Sequence, residues 1–318
     1  MVTKFKEKLS KWMESEGMSR KDLIAKLQVK YYDEFKGLDT ITLCRWLNGM
    51  TIPPIYKQIY IAKCLNADIL EYIRELDLSL INLSRKNDVI ICLMEKAINF
   101  SLSTLSYIKI GKNIQFELIE QSFQEHYNAF GSFYENIPPI AEFTKSLYGK
   151  AEIIKYTSIL IKNDDGQMIG HWTGIQDIEI LNGIPGFICI PKDEISRSSL
   201  VGQGNYINSA HYFELIVQVI CFFLVKLFHR KDFLYMFLYD FKPVIDYCKI
   251  VLNAESVKYY APDKKSKMGV YLFKFNIIKS ISNPSLLLKV QDKLKCLAKC
   301  NPKLCNNKCN LLYITKGQ

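Results

Sequence analysis

The sequence predicts a multidomain chain in which an all-α N-terminal unit is followed by an α+β unit. Three observations carry this. At 318 residues the chain is longer than a single hydrophobic core readily fills. Apolar residues recur at helical spacing over roughly the first quarter. From about residue 150 short β-rich runs alternate with helical ones, punctuated by turn signals. Hydrophobic residues make up 49% and charged residues 23%, which excludes a disordered chain, because disorder needs fewer apolar residues.

The helical unit spans residues 1–75. Phe5, Leu9, Trp12 and Met13 lie on one face of a first helix, which Gly17 ends through the left-handed cap that glycine tolerates. Ser19 caps a second helix, with Asp22 three residues on as in a capping box. Its buried stripe is Leu23, Ile24 and Leu27. A long turn, 28–38, follows and has room for an extra helical turn. Asp39 then caps a helix from Thr40 to Leu47 that Asn48-Gly49 stops. Pro53-Pro54 opens another amphipathic segment with Ile55, Ile59, Ala62 and Leu65.

Residues 76–114 are a helical linker, continuing a helical reading of 69–100 that includes Ile81, Ile90 and Met94. This stretch either dimerises or connects the domains. Within 115–278, Phe116 to Tyr134 reads as helix, and Ile140 to Leu147 as another. Ile153 to Lys162 and Gln167 to Gly174 form a hairpin around Asn163-Asp164-Asp165-Gly166. A short buried strand over Gly186 to Ile190 and a long apolar helix over Tyr206 to Phe228 come next. Phe233 to Tyr239, Ser256 to Tyr260 and Gly269 to Phe275 are strands, with a helix from Pro243 to Leu252 after the first. Residues 279–318 remain as a basic, cysteine-containing tail.

Two resemblances attach function to this plan. The run Gly17 to Leu27, then Thr42-Leu43-Cys44-Arg45-Trp46-Leu47-Asn48-Gly49 with Pro53, resembles the helix-turn-helix domain of the XRE, or phage-repressor-like, family. It departs from that family in its long turn at 28–38 and in Leu47, where glutamate is usual. The resemblance implies that Thr40, Ile41, Thr42 and Arg45 face DNA bases in the major groove, with Asn48 on the backbone and Arg20 on a phosphate. Leu43 and Trp46 are expected to face the core. The order of elements over 115–278 resembles the GNAT acetyltransferase fold. Ser199-Leu200-Val201-Gly202-Gln203-Gly204 is similar to a weakened form of that family's coenzyme A pyrophosphate loop. This implies a ligand site at Arg197, Ser199, Gly202 and Gly204. Tyr247 is the implied acid, with Glu214 and His171 as other acid–base candidates; each has a structural role as its competing explanation.

The formal net charge is +10, and residues 263–318 carry 12 lysines against two aspartates. Such a surplus suits either a polyanion or a solvated face. Cys296, Cys300, Cys305 and Cys309 have a spacing that only partly fits a zinc site, so reduced thiols are the expectation and zinc the alternative. Met1 to Lys8 has no apolar core, so no secretory peptide is expected. The interrupted run from Tyr212 to Phe228 is read as a buried helix, not a membrane span.

The expectation is therefore a cytoplasmic, homodimeric regulator binding double-stranded DNA. Its GNAT-like domain senses a small-molecule effector, with acyl-CoA the candidate cofactor. The alternative is an N-acyltransferase targeted by a helix-turn-helix domain.

Overall fold

Local capping signals start several of the chain's helices. The computed structural model describes residues 2–78, 84–100, 114–184, 187–262, 268–300 and 309–310. Six helices build the N-terminal unit: α1 (Val2–Ser15), α2 (Arg20–Lys30), α3 (Tyr32–Phe35), α4 (Thr40–Leu47), α5 (Ile55–Cys64) and α6 (Ile69–Glu75). Ser19 and Asp22 form the complete capping box of α2, and the Asp39 carboxylate accepts the Thr42 N–H at the start of α4. The long turn between α2 and α4 is the short helix α3. The Gln28 side-chain amide donates to the carbonyls of Phe35 and Leu38 and so ties both sides of that turn together.

The 69–100 helix is broken. Asp68 caps α6, Leu76 leaves helical geometry, and α7 (Arg85–Phe100) follows; Ile81 lies outside the described residues.

The second half is a mixed sheet with helices on both faces. Its elements run β1 (Gln115–Ser122), α8 (Phe123–Glu135), α9 (Pro138–Ser146), β2 (Lys155–Lys162), β3 (Met168–Ile175), α10 (Lys192–Ile195), β4 (Ser198–Tyr206), α11 (Ser209–Phe222), β5 (Phe233–Tyr239), α12 (Lys242–Asp246), β6 (Glu255–Tyr260), β7 (Val270–Asn276), α13 (Ile277–Ile281), α14 (Pro284–Ala298) and β8 (Cys309–Asn310). Helices α11 and α12 each run on into a π-helical turn. The strand order is β6-β7-β5-β4-β3-β2-β1-β8. Strands β1 to β4 form an antiparallel meander, β4 and β5 are parallel, and β7 is antiparallel to both its neighbours. The parallel step needs a crossover, which α11 supplies.

Three sequence expectations are corrected here. The segment Phe116–Ser122 is strand, not helix: it pairs in register with β2 from Gln115↔Lys162 to Ser122↔Lys155. Phe116, Leu118 and Ile119 fit either period, and strand pairing decides the state. The helix starts at Ser122, which forms a capping box with Glu125. Residues 187–190 are irregular rather than strand. The run Ser199–Gly204 is part of β4 and not a loop, because a complete partner strand, β3, lies alongside it.

One core is continuous from Phe5 and Leu9 through Ile59 and Ile73 to Tyr212, Leu287 and Leu297. It joins the N-terminal helices to the sheet face that carries α11 and α14. A second cluster, including Phe123, Phe130, Leu160 and Leu200, lies under α8 and α9. The window Ser209–Leu227 is long and apolar enough to cross a membrane, but 67% of it is buried inside the protein. Residues 284–298, taken from sequence as part of a basic tail, form a packed helix with Leu287 and Val290 fully buried. Their lysines lie on the body: Lys289 over the Phe213 ring and Lys293 over Phe116.

Candidate functional site

Helix α4 is half anchor and half open surface. Leu43 and Trp46 are buried, while Ile41 is 64% exposed. Thr40, Arg45 and Asn48 are exposed beside it, and Thr42 is half-buried. Hydrogen bonds from Thr42 hold the Asp39 carboxyl below its ordinary pKa. Arg20 opens α2 and reaches α4 with a hydrogen bond to the Cys44 Sγ at 3.2 Å. The six residues expected at this face therefore lie on α4, at its end, and on the adjoining start of α2.

The second candidate region is where β4 and β5 part. They pair only from Ser198↔Phe233 to Val201↔Met236. Beyond that, β4 stays with β3 and β5 with β7. The wedge between them is a cavity of about 440 Å³, lined by Trp172, Gly204, Tyr206, Tyr212, Phe237 and Ile98 of α7 among others. The Trp172 indole nitrogen is buried with no hydrogen-bond partner among the described residues. The strands pass closely at Gly204, where a Cβ would stand 3.2 Å from the His171 carbonyl oxygen and 3.5 Å from the Trp172 ring.

Arg197, Ser199, Gly202 and Gly204 do not converge. They are strung along one strand and its approach, with Arg197 and Gly204 roughly 20 Å apart. Arg197 binds Asp232 at 3.1 Å and the Asp193 carbonyl; Ser199 donates to the Gln176 carbonyl. Tyr247 is 1% exposed, packed edge-on to Tyr212 and Phe213, and burial pushes its phenol pKa up. His171 points to the opposite face from its neighbour Trp172, stacked on Phe130 at 4.4 Å. Burial holds its pKa at about 4. Glu214 is exposed. These three acid–base candidates share no site.

Cys296 is exposed on α14 and Cys300 half-buried after it. Cys305 lies outside the described residues, and the Cys309 backbone pairs with Phe116. Among the described residues no cluster of three metal-ligating side chains occurs. Cys221 and Cys248 are fully buried and pushed up to about 12, so they act as small core residues.

Fold and sites together define a helical unit packed on a mixed-sheet α+β unit. Solved structures similar to part of the chain include Arabidopsis thaliana NAA60 in complex with acetyl-CoA, at 15% identity and a TM-score of 0.32, covering 51% of this chain and 98% of that one. The same protein with a bisubstrate analogue gives 14% and 0.30, covering 50% and 97%. Spermidine N-acetyltransferase from Vibrio cholerae, in complex with CoA and spermine, gives 10% and 0.31, covering 52% and 98%. No family model matches the sequence, and no curated protein does.

A helix N-terminus can hold a pyrophosphate through its free N–H groups. The N-terminus of α11 does not fit that role. The Asn208 side chain accepts the His211 N–H at 2.9 Å, and the Asn99 side chain of α7 accepts the Ser209 N–H at 2.9 Å. Residues 198–211 contain no lysine or arginine, and burial lowers the His211 pKa. Sequence reasoning missed Asn99, whose role depends on a contact 110 residues away.

Proposed function

We propose that this protein is a sequence-specific DNA-binding transcriptional regulator whose α4 enters the major groove. The observation that carries the reading is Ile41, an apolar side chain left 64% exposed on a helix whose other face is anchored by Leu43 and Trp46. Beside it stands the exposed Arg45. An isoleucine suits a thymine methyl, and an arginine suits guanine O6 and N7. Arg20, Thr40, Thr42 and Asn48 supply phosphate, base-edge and backbone contacts. One such unit grips few phosphates, so the binding form is a homodimer on a two-fold operator. The effector site is the wedge between β4 and β5, which suits an apolar molecule carrying one acceptor for the Trp172 N–H.

The test is selection of sites from a random duplex pool by the full-length protein, followed by titration of Arg45→Ala on the selected site. The variant is expected to lose about 1–3 kcal/mol and to relax preference at one base pair. Absence of any enriched site, or an Arg45→Ala variant with unchanged affinity and preference, would reject the reading.

A second reading is favoured by the parting of β4 and β5 and the acetyltransferase-like element order: an N-acyltransferase targeted by its helical unit. It predicts release of CoA from acetyl-CoA in the presence of amine substrates. It also requires coenzyme at the N-terminus of α11.

A further inference from the structure

We propose that helix α7 is a built-in occupant of the coenzyme cleft, standing where a nucleotide coenzyme would stand and excluding it. The inference rests on the acetyltransferase-like architecture of the second half and is independent of the DNA-binding reading. Helix α7 packs on α11, α12 and the π-helical turn that follows α12. Met94 and Ile98, four residues apart, form its docked stripe and are 0% and 2% exposed. Ile98 lines the wedge between β4 and β5. Asn99, the next residue, gives its side-chain oxygen to the first N–H of α11 at 2.9 Å. Glu95, one turn earlier, faces the region of Tyr247 and contributes to raising its pKa.

One helix thus supplies both parts that a nucleotide coenzyme brings. Ile98 provides apolar contact in the wedge, and Asn99 provides an oxygen acceptor at the helix N-terminus. The amide acceptor is neutral, which matches a helix start whose flanking residues carry no lysine or arginine. A pyrophosphate placed there would meet the Asn99 and Asn208 oxygens in place of free N–H groups and would be desolvated without a counter-charge. In the order of the chain the covering helix lies between the N-terminal helices and the sheet. The connection between the domains and the closure of the cleft are therefore the same element.

The experiment is a calorimetric titration of the full-length protein with acetyl-CoA, together with residue-level amide hydrogen exchange on the wild type and on Asn99→Ala. Asn99 is exposed, so its truncation leaves the core packing in place. No saturable binding to the wild type is expected. Loss of the Asn99 acceptor is expected to speed exchange of the Ser209 amide roughly tenfold, with strand amides unchanged. Saturable acetyl-CoA binding by the wild type, with or without faster exchange in α7, overturns the proposal. So does a Ser209 amide indifferent to Asn99→Ala. Site selection on DNA is read separately, so failure of either inference leaves the other standing.

Discussion

Lys63 shows how a single side chain can commit two halves of a protein to one arrangement. It sits on α5 at 3% exposure. Its ammonium meets the Asp232 carboxylate at 2.5 Å and the Lys231 carbonyl at 2.8 Å, above the Phe228 ring. Arg197 binds the second Asp232 oxygen. Burial lowers the Lys63 pKa and outweighs the opposing pull of Asp232. Removing one partner strands the other charge, so Asp232→Asn is expected to cost about 3–5 kcal/mol in chemical denaturation. The double change Lys63→Met with Asp232→Leu should cost less than the two single changes added. The buried imidazoles add a pH effect. Burial holds His126 at about 3 and His171 at about 4, against 6.5 unfolded. Their folded values are depressed, so the unfolded chain binds the extra protons. Stability is full above 6.5 and falls as pH drops toward 4. His171→Phe, retaining the stack on Phe130, should shrink the loss between pH 7 and pH 4.5 in urea titrations.

Among the elements, helix starts and strand partners obey different rules. Ser122 ends β1 and caps α8 in one step, with Glu125 closing the box. Ser122→Ala is expected to cost about 0.5–2 kcal/mol and to fray the first turn of α8, seen as lost amide protection there. The signal for that boundary, Ser-x-x-Glu, lies within four residues, yet the continuous helical reading of Phe116 to Tyr134 ran across it. The strand before it was not legible, because Phe116, Leu118 and Ile119 suit either period and β2 decides between them. The same holds for Ser199–Gly204, where glycines that suggest a phosphate loop instead admit close passage of β3. On α4 the split between buried Leu43 and Trp46 and exposed Ile41 and Arg45 is the one the helix-turn-helix resemblance implied.

At the scale of the whole molecule, the N-terminal helices are part of the main core. Gln291 of α14 donates to the Ile73 and Leu76 carbonyls at the end of α6. Asn276 reaches the Tyr60 hydroxyl, and Lys279 pairs with Glu34. The full chain should therefore melt in one transition, with calorimetric and van't Hoff enthalpies in agreement. Two separated transitions would show instead that the helical unit is an independent domain. This packing links the wedge to the N-terminal helices, since α7 lines the wedge and α5 is bound to the start of β5 through Asp232.

The sequence by itself determined the helices of the N-terminal part, the caps of α2 and α4, the hairpin at Asn163–Gly166 and the apolar crossover helix. Each is written within a few residues, through capping, turn chemistry or a 3.6-residue period. Only the tertiary structure decided that β1 and β4 are strands, that α14 belongs to the core, and that α7 packs on α11 and α12. Only it showed Arg197 to join Lys63 and Asp232 in one ion network. Lys63 and Asp232 are 169 residues apart. Neither carries a local sign of its partner, because the free energy that joins them comes from shared burial, and burial belongs to the folded whole.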